Sequence, residues 1–137
     1  MIEYEKLVNR TARQIKPSGI RKFFDIANEM DDVISLSVGE PDFHTPWHIR
    51  EAGIESLEKG RTSYTPNRGF LQLRAEISNF VERHYHVKYD PQTEVLVTVG
   101  GSEAIDLCVR TLIEPGDEVL IPEPSFLCYL PITEMAG

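Results

Sequence analysis

A chain of 137 residues with 41% hydrophobic residues and a net charge of −8 has the length and composition of about one globular domain. The acidic balance, with no basic stripe to offset it, argues against nucleic acid or an anionic membrane surface as the main partner. The opening MIEYEKLVNR lacks the apolar centre of a signal peptide, and no run approaches the ~18 apolar residues of a membrane span, so a cytoplasmic protein is expected.

Taken in chain order, Pro17 and Ser18 introduce a short amphipathic helix marked by Ile20, Phe23, Phe24 and Ala27. Val33 to Val38 reads as a strand that runs into GEPDFHTP. Thr45 and Pro46 suit the N-cap and first residue of a helix that continues to Lys59 and stops at Gly60. The polar loop RTSYTPNRG follows. Leu73, Ile77, Phe80, Val81 and His84 then form one stripe of a helix from Gly69 to about Tyr85, which leads through a turn at Pro91. From Val95 to Val99 only Thr98 is polar, which suits a parallel strand covered on both faces. Ile105, Cys108, Val109, Leu112 and Ile113 recur at helical spacing until Pro115 and Gly116, and Val119 to Ile121 reads as the next strand. This is a strand, helix, strand unit of the right-handed crossover kind. A further helix is expected after Phe126. The fold class predicted is α/β, a mainly parallel sheet covered by helices, although three short strands do not make a doubly covered sheet by themselves.

Gly100 and Gly101 stand where the buried strand ends and its helix begins, the place at which open parallel sheets bind ligands. Without side chains they leave the first amides of the helix bare, and those amides carry the positive end of the helix dipole. Ser102 adds a hydroxyl, so the stretch suits a phosphate or carboxylate. A plain tight turn capped by Ser102 is the competing account. The third glycine of a dinucleotide fingerprint is absent, as is the Gly-Lys-Ser or Gly-Lys-Thr of a phosphate loop. Cys108 and Cys128 read as two ordinary buried thiols, and the spacing of the four histidines gives no metal site.

Read together, SLSVGEPDFHTP, TSYTPNRGFLQLRAEIS and VTVGGSEAIDLCVRTLIEPGDEVLIPEPSFLCY resemble the N-terminal portion of pyridoxal-phosphate-dependent aminotransferases of classes I and II, the fold type I group. The resemblance implies that residues 1–45 form an N-terminal segment of helix and strand. Residues 46–137 would begin the cofactor-binding large domain, incomplete here. It assigns Gly100, Gly101 and Ser102 to the cofactor phosphate and Phe126 to stacking on the pyridine ring. Tyr64 would reach across a homodimer interface to the partner's cofactor. Gly39 and Ile20 would line the substrate site, Gly39 against the substrate carboxylate. Glu103 is expected to turn away from the phosphate.

The lysine that attaches the cofactor is implied to lie beyond residue 137, since Lys6, Lys16, Lys22, Lys59 and Lys88 do not match its context. No catalytic residue is therefore assigned within the chain. The implied activity is transfer of an amino group between an amino acid and a 2-oxo acid, with the 137-residue chain a truncated, inactive front part. A carbon-sulfur lyase of the same fold, and a non-catalytic module that binds pyridoxal phosphate or an amino acid, are the alternatives.

Overall fold

The computed structural model describes residues 3, 6–34, 39 and 41–137, and the chain divides into two compact units, residues 1–18 with 68–137, and residues 19–67. Among the described residues the helices are α1 (Arg10–Gln14), α2 (Ile20–Asn28), α3 (Trp47–Glu58), α4 (Leu71–Tyr85), α5 (Gly100–Leu112) and α6 (Tyr129–Ala136).

In the smaller unit, α2 and α3 fall where periodicity placed them. The start of α3 is one residue later than its punctuation suggests: Pro46 is the N-cap, with no side-chain cap. Its end is fixed by Gly60, whose φ of +65° is the left-handed turn. Gly60 N then donates to Leu57 O at 2.9 Å and Arg61 N to Ser56 O at 3.0 Å, which satisfies two carbonyls the last turn leaves open.

In the larger unit, α1 was not anticipated from the sequence. Asn9 makes it, its side-chain oxygen accepting from Thr11 N at 2.8 Å and from Ala12 N at 3.4 Å. α4 runs to Tyr85 and is closed by His86 at φ +58°. α5 begins at Gly100, earlier than the apolar stripe requires, and α6 follows Cys128 as its N-cap.

The parallel sheet is the point of difference. Residues 95–99 and 119–121 form no strand, and no strand occurs among the described residues; the third predicted strand enters residues 35–38, which lie outside them. A strand is stable only as one member of a ladder, because its amides and carbonyls need a neighbour at each residue. Here Val97 N donates to Arg68 O at 3.1 Å, a single cross-link where a ladder needs a series. The apolar faces are accordingly open: no hydrophobic side chain is buried among the described residues, the only buried polar ones are Arg74 and Ser78, and of the thiols expected to be buried Cys108 is exposed and Cys128 partly exposed.

Those two side chains tie α4 to the turn after it. Arg74 donates from Nε to Gly69 O at 3.2 Å and from Nη1 to Pro91 O at 2.6 Å and Gln92 O at 3.2 Å. Ser78 Oγ donates to Tyr89 O at 2.5 Å. The same turn is gripped from outside by Arg68, whose Nη1 reaches Gln92 O and Thr93 O. Fixing residues 89–93 fixes where the following segment, 95–99, delivers the chain to α5.

Candidate functional site

The opening of α5 is built by a short polar sequence at the end of an apolar run. Gly100 has φ +82°, a conformation that favours glycine, and it swings the chain into the helix. Thr98, the one polar residue of its run, donates from Oγ1 to Gly100 O at 2.9 Å and so stiffens that bend. The amides of Gly101 and Ser102 have no hydrogen-bond acceptor among the described residues. Residues 100–102 are exposed and a Cβ added at Gly100 or Gly101 meets nothing within 4 Å, so the turn does not face packed protein.

Bare amides at an exposed helix start, beside a hydroxyl, can hold an oxyanion. Glu103 differs from expectation. Its side chain folds back and its Oε2 accepts from Val99 N, one residue before the glycines, where the sequence led us to expect a carboxylate turned away. The back-bond satisfies a donor the helix leaves open and is the usual work of an acid in a first turn. It leaves the amides of residues 101 and 102 unengaged.

Ser102 is not a side-chain N-cap; that position belongs to Val99. The Ser102 hydroxyl instead donates to Cys128 Sγ at 3.8 Å, which joins the start of α5 to the start of α6. No sequence signal announced that contact, because it joins residues far apart in the chain. Phe126 lies two residues before Cys128, is half exposed, and meets Tyr129 edge-on at a ring separation of 5.7 Å. It lines an open cleft of about 640 Å³ with Ile121, Glu123, Ser125, Leu127 and Leu130. The glycines are not part of that lining. The structure therefore brings Ser102 to the segment that carries Phe126.

A second hollow of about 330 Å³ separates α5 from α6, with Ile105 and Val109 of the predicted stripe facing Val119, Ile121 and Tyr129.

The other sequence-selected residues belong to the unit of residues 19–67. Tyr64 is fully exposed in its loop. Gly39 is exposed, with nothing within 4 Å of an added Cβ. Ile20 is the first residue of α2 and is 39% exposed. Of the lysines, Lys6, Lys59 and Lys88 pair with Glu3, Glu55 and Glu82 on the surface.

The sequence profile described as "Aminotransferase class I and II" matches residues 31–137. The chain is 45% identical over 123 residues to the aspartate aminotransferase of Pyrococcus abyssi, a match that covers 90% of this chain and 32% of that protein. It is 43% identical over 123 residues to aromatic-amino-acid aminotransferase 2 of Thermococcus litoralis, again over 90% of this chain and 32% of the relative. Among solved structures it is similar to N-succinyldiaminopimelate aminotransferase from Mycobacterium tuberculosis, with a TM-score of 0.87 and 36% identity over 95% of this chain and 34% of that one. The chain thus spans about a third of the length of the curated relatives it matches.

Proposed function

This chain belongs to the class I and II aminotransferases, and from that premise we propose that it forms the front part of an enzyme that moves an amino group between an amino acid and a 2-oxo acid with pyridoxal phosphate. The solved structures it resembles are fold type I aminotransferases, and the sheet absent from the described residues is proposed to form when segments 95–99 and 119–121 find neighbouring strands in the whole protein. Residues 46–137 would begin the cofactor-binding domain, and residues 1–45 would form a segment at its interface.

The residues present fit the cofactor's phosphate ester. The amides of Gly101 and Ser102 are free donors, Gly100 gives the bend, and the turn is exposed. That open, bare-amide start of α5 is the observation that carries the reading. Phe126 offers a flat apolar face for the ring, and Tyr64 offers a phenol donor to the phosphate on a partner subunit. Gly39 and Ile20 are proposed to border the substrate. When bound, the cofactor supplies an electron sink for the substrate's α-carbon; the chain's own residues anchor its phosphate and orient its ring. The attaching lysine is proposed to come from outside these residues.

Amino-group transfer to 2-oxoglutarate, assayed with aspartate and aromatic amino acids as donors, tests the reading. The whole protein is expected to catalyse transfer, and the 137-residue chain alone is expected to show none. Release of ammonia and a thiol from sulfur amino acids, without transfer, would assign the lyase chemistry instead.

A further inference from the structure

The contact between Ser102 and Cys128 is not required by the helix geometry of either residue. Ser102 lies in the first turn of α5, with its amide free, and its Oγ lies 3.8 Å from the Cys128 sulfur, as donor to it. Cys128 is the N-cap of α6 but makes no capping hydrogen bond with its side chain. Among the described residues its thiol is thus committed to Ser102 alone, and it is only partly exposed.

A serine hydroxyl has one proton to give and two lone pairs to receive with. Facing an oxyanion at the bare amides, Ser102 lowers its energy by giving that proton to the anion, which vacates the direction toward sulfur. A thiol accepts weakly and donates weakly, so the same pair can then reverse, with Cys128 S–H donating to Ser102 Oγ. We propose that Cys128 is a positioning residue for the phosphate site: it holds the Ser102 rotamer between α5 and α6, and on anion binding it becomes the donor behind the Ser102 hydroxyl. This inference rests on the phosphate reading above and goes beyond it, because Cys128 touches neither phosphate nor substrate.

The test compares pyridoxal phosphate with pyridoxal, which differ only in the phosphate, binding to the whole protein. Cys128→Ala is expected to weaken pyridoxal phosphate about 3- to 10-fold, the scale of one lost hydrogen bond, and to leave pyridoxal unchanged. Cys128→Ser, which can give and accept at shorter reach, is expected to restore part of the difference. In a Ser102→Ala background the Cys128→Ala effect is expected to vanish. On the unsubstituted protein, inorganic phosphate is expected to slow iodoacetamide alkylation of Cys128, read on its own peptide by mass spectrometry, with Cys108 unaffected.

An equal loss for both ligands, an undiminished loss in the Ser102→Ala background, or an alkylation rate indifferent to phosphate overturns the proposal while leaving the phosphate site intact. An unsubstituted protein that binds pyridoxal phosphate no better than pyridoxal overturns both.

Discussion

At Gly69 the backbone φ is +86°, and an added Cβ would stand 2.8 Å from Val97 Cβ and 2.9 Å from its Cγ2. At Gly100 φ is +82° but an added Cβ meets nothing within 4 Å, and Gly101 has neither restriction. These three positions separate stability from binding. In the whole protein, Gly69→Ala combines left-handed strain with overpacking against a side chain close to its own backbone, and is expected to cost on the order of 3 kcal/mol. Gly100→Ala carries only the strain, about 1–2 kcal/mol. Gly101→Ala is expected to leave the unfolding midpoint unchanged or slightly raised, since alanine favours a helix over glycine by up to ~1 kcal/mol, yet to lower the affinity for pyridoxal phosphate relative to pyridoxal. Denaturant unfolding paired with the two binding measurements checks all three; a Gly101→Ala protein with unaltered phosphate preference would remove the site from α5. The paired glycines were legible in the sequence because their meaning is local, a bend before a helix. The reason for glycine at 69 was not, because Val97 is its neighbour only in space.

Among elements, the helices other than α1 were read well, while the sheet does not form among the described residues, for one physical reason. A helix satisfies its backbone within a single segment, so its 3.6-residue period and its stops are written locally, as Gly60 and His86 show. A ladder is completed by residues from elsewhere. α4 adds a subtler case: its stripe of Leu73, Ile77 and Phe80 predicted an apolar buried face, yet these side chains are exposed and the helix buries Arg74 and Ser78. Hydropathy reads arginine as a surface residue, whereas here its fixed fork of donors matches the carbonyl of Gly69 and two carbonyls of the 89–93 turn, those of Pro91 and Gln92. Arg74→Ala is expected to cost about 2–4 kcal/mol and to raise amide exchange at Glu94 first, with Arg74→Lys recovering only part. The turn itself is pH-sensitive. Gln92 N and the Thr93 hydroxyl donate to the Asp90 carboxylate and hold its pKa below the ordinary 3.8, with Arg74 adding a smaller pull. A depressed carboxylate contributes stability above its unfolded value and loses it as pH falls through the folded one. Exchange at Glu94 N, bonded to Asp90 O at 2.8 Å, is therefore expected to accelerate on acidification below about pH 4, beyond the intrinsic rate change, and Asp90→Asn to abolish that acceleration.

For the whole molecule, the decisive quantity is surface. A folded monomer of 15.6 kDa exposes roughly 7,300 Å² by the usual scaling of area with mass, whereas this chain exposes 12740 Å². Large apolar side chains contribute to the excess: Leu120 is 96% exposed and Val99 91% exposed. Apolar area left in water forgoes about 25 cal/mol for each Å² that burial would remove, and such patches on a soluble protein mark surfaces that another surface covers. The backbone of residues 95–99 and 119–121, which forms no strand ladder, adds the same demand in hydrogen bonds, since an open edge accepts any strand offered to it. A net charge of −8 opposes association through mutual repulsion, but salt screens that repulsion to a range of about 8 Å at physiological ionic strength, while apolar contact is unaffected. The isolated 137-residue chain is therefore expected to self-associate in a concentration-dependent way that salt strengthens, to bind an apolar dye, and to unfold without a sharp transition. Sedimentation velocity at two salt concentrations, with thermal unfolding alongside, checks this. A monodisperse monomer that melts cooperatively would show that the chain closes its own core, and that the exposed face of α5 and the segments flanking it need no cover.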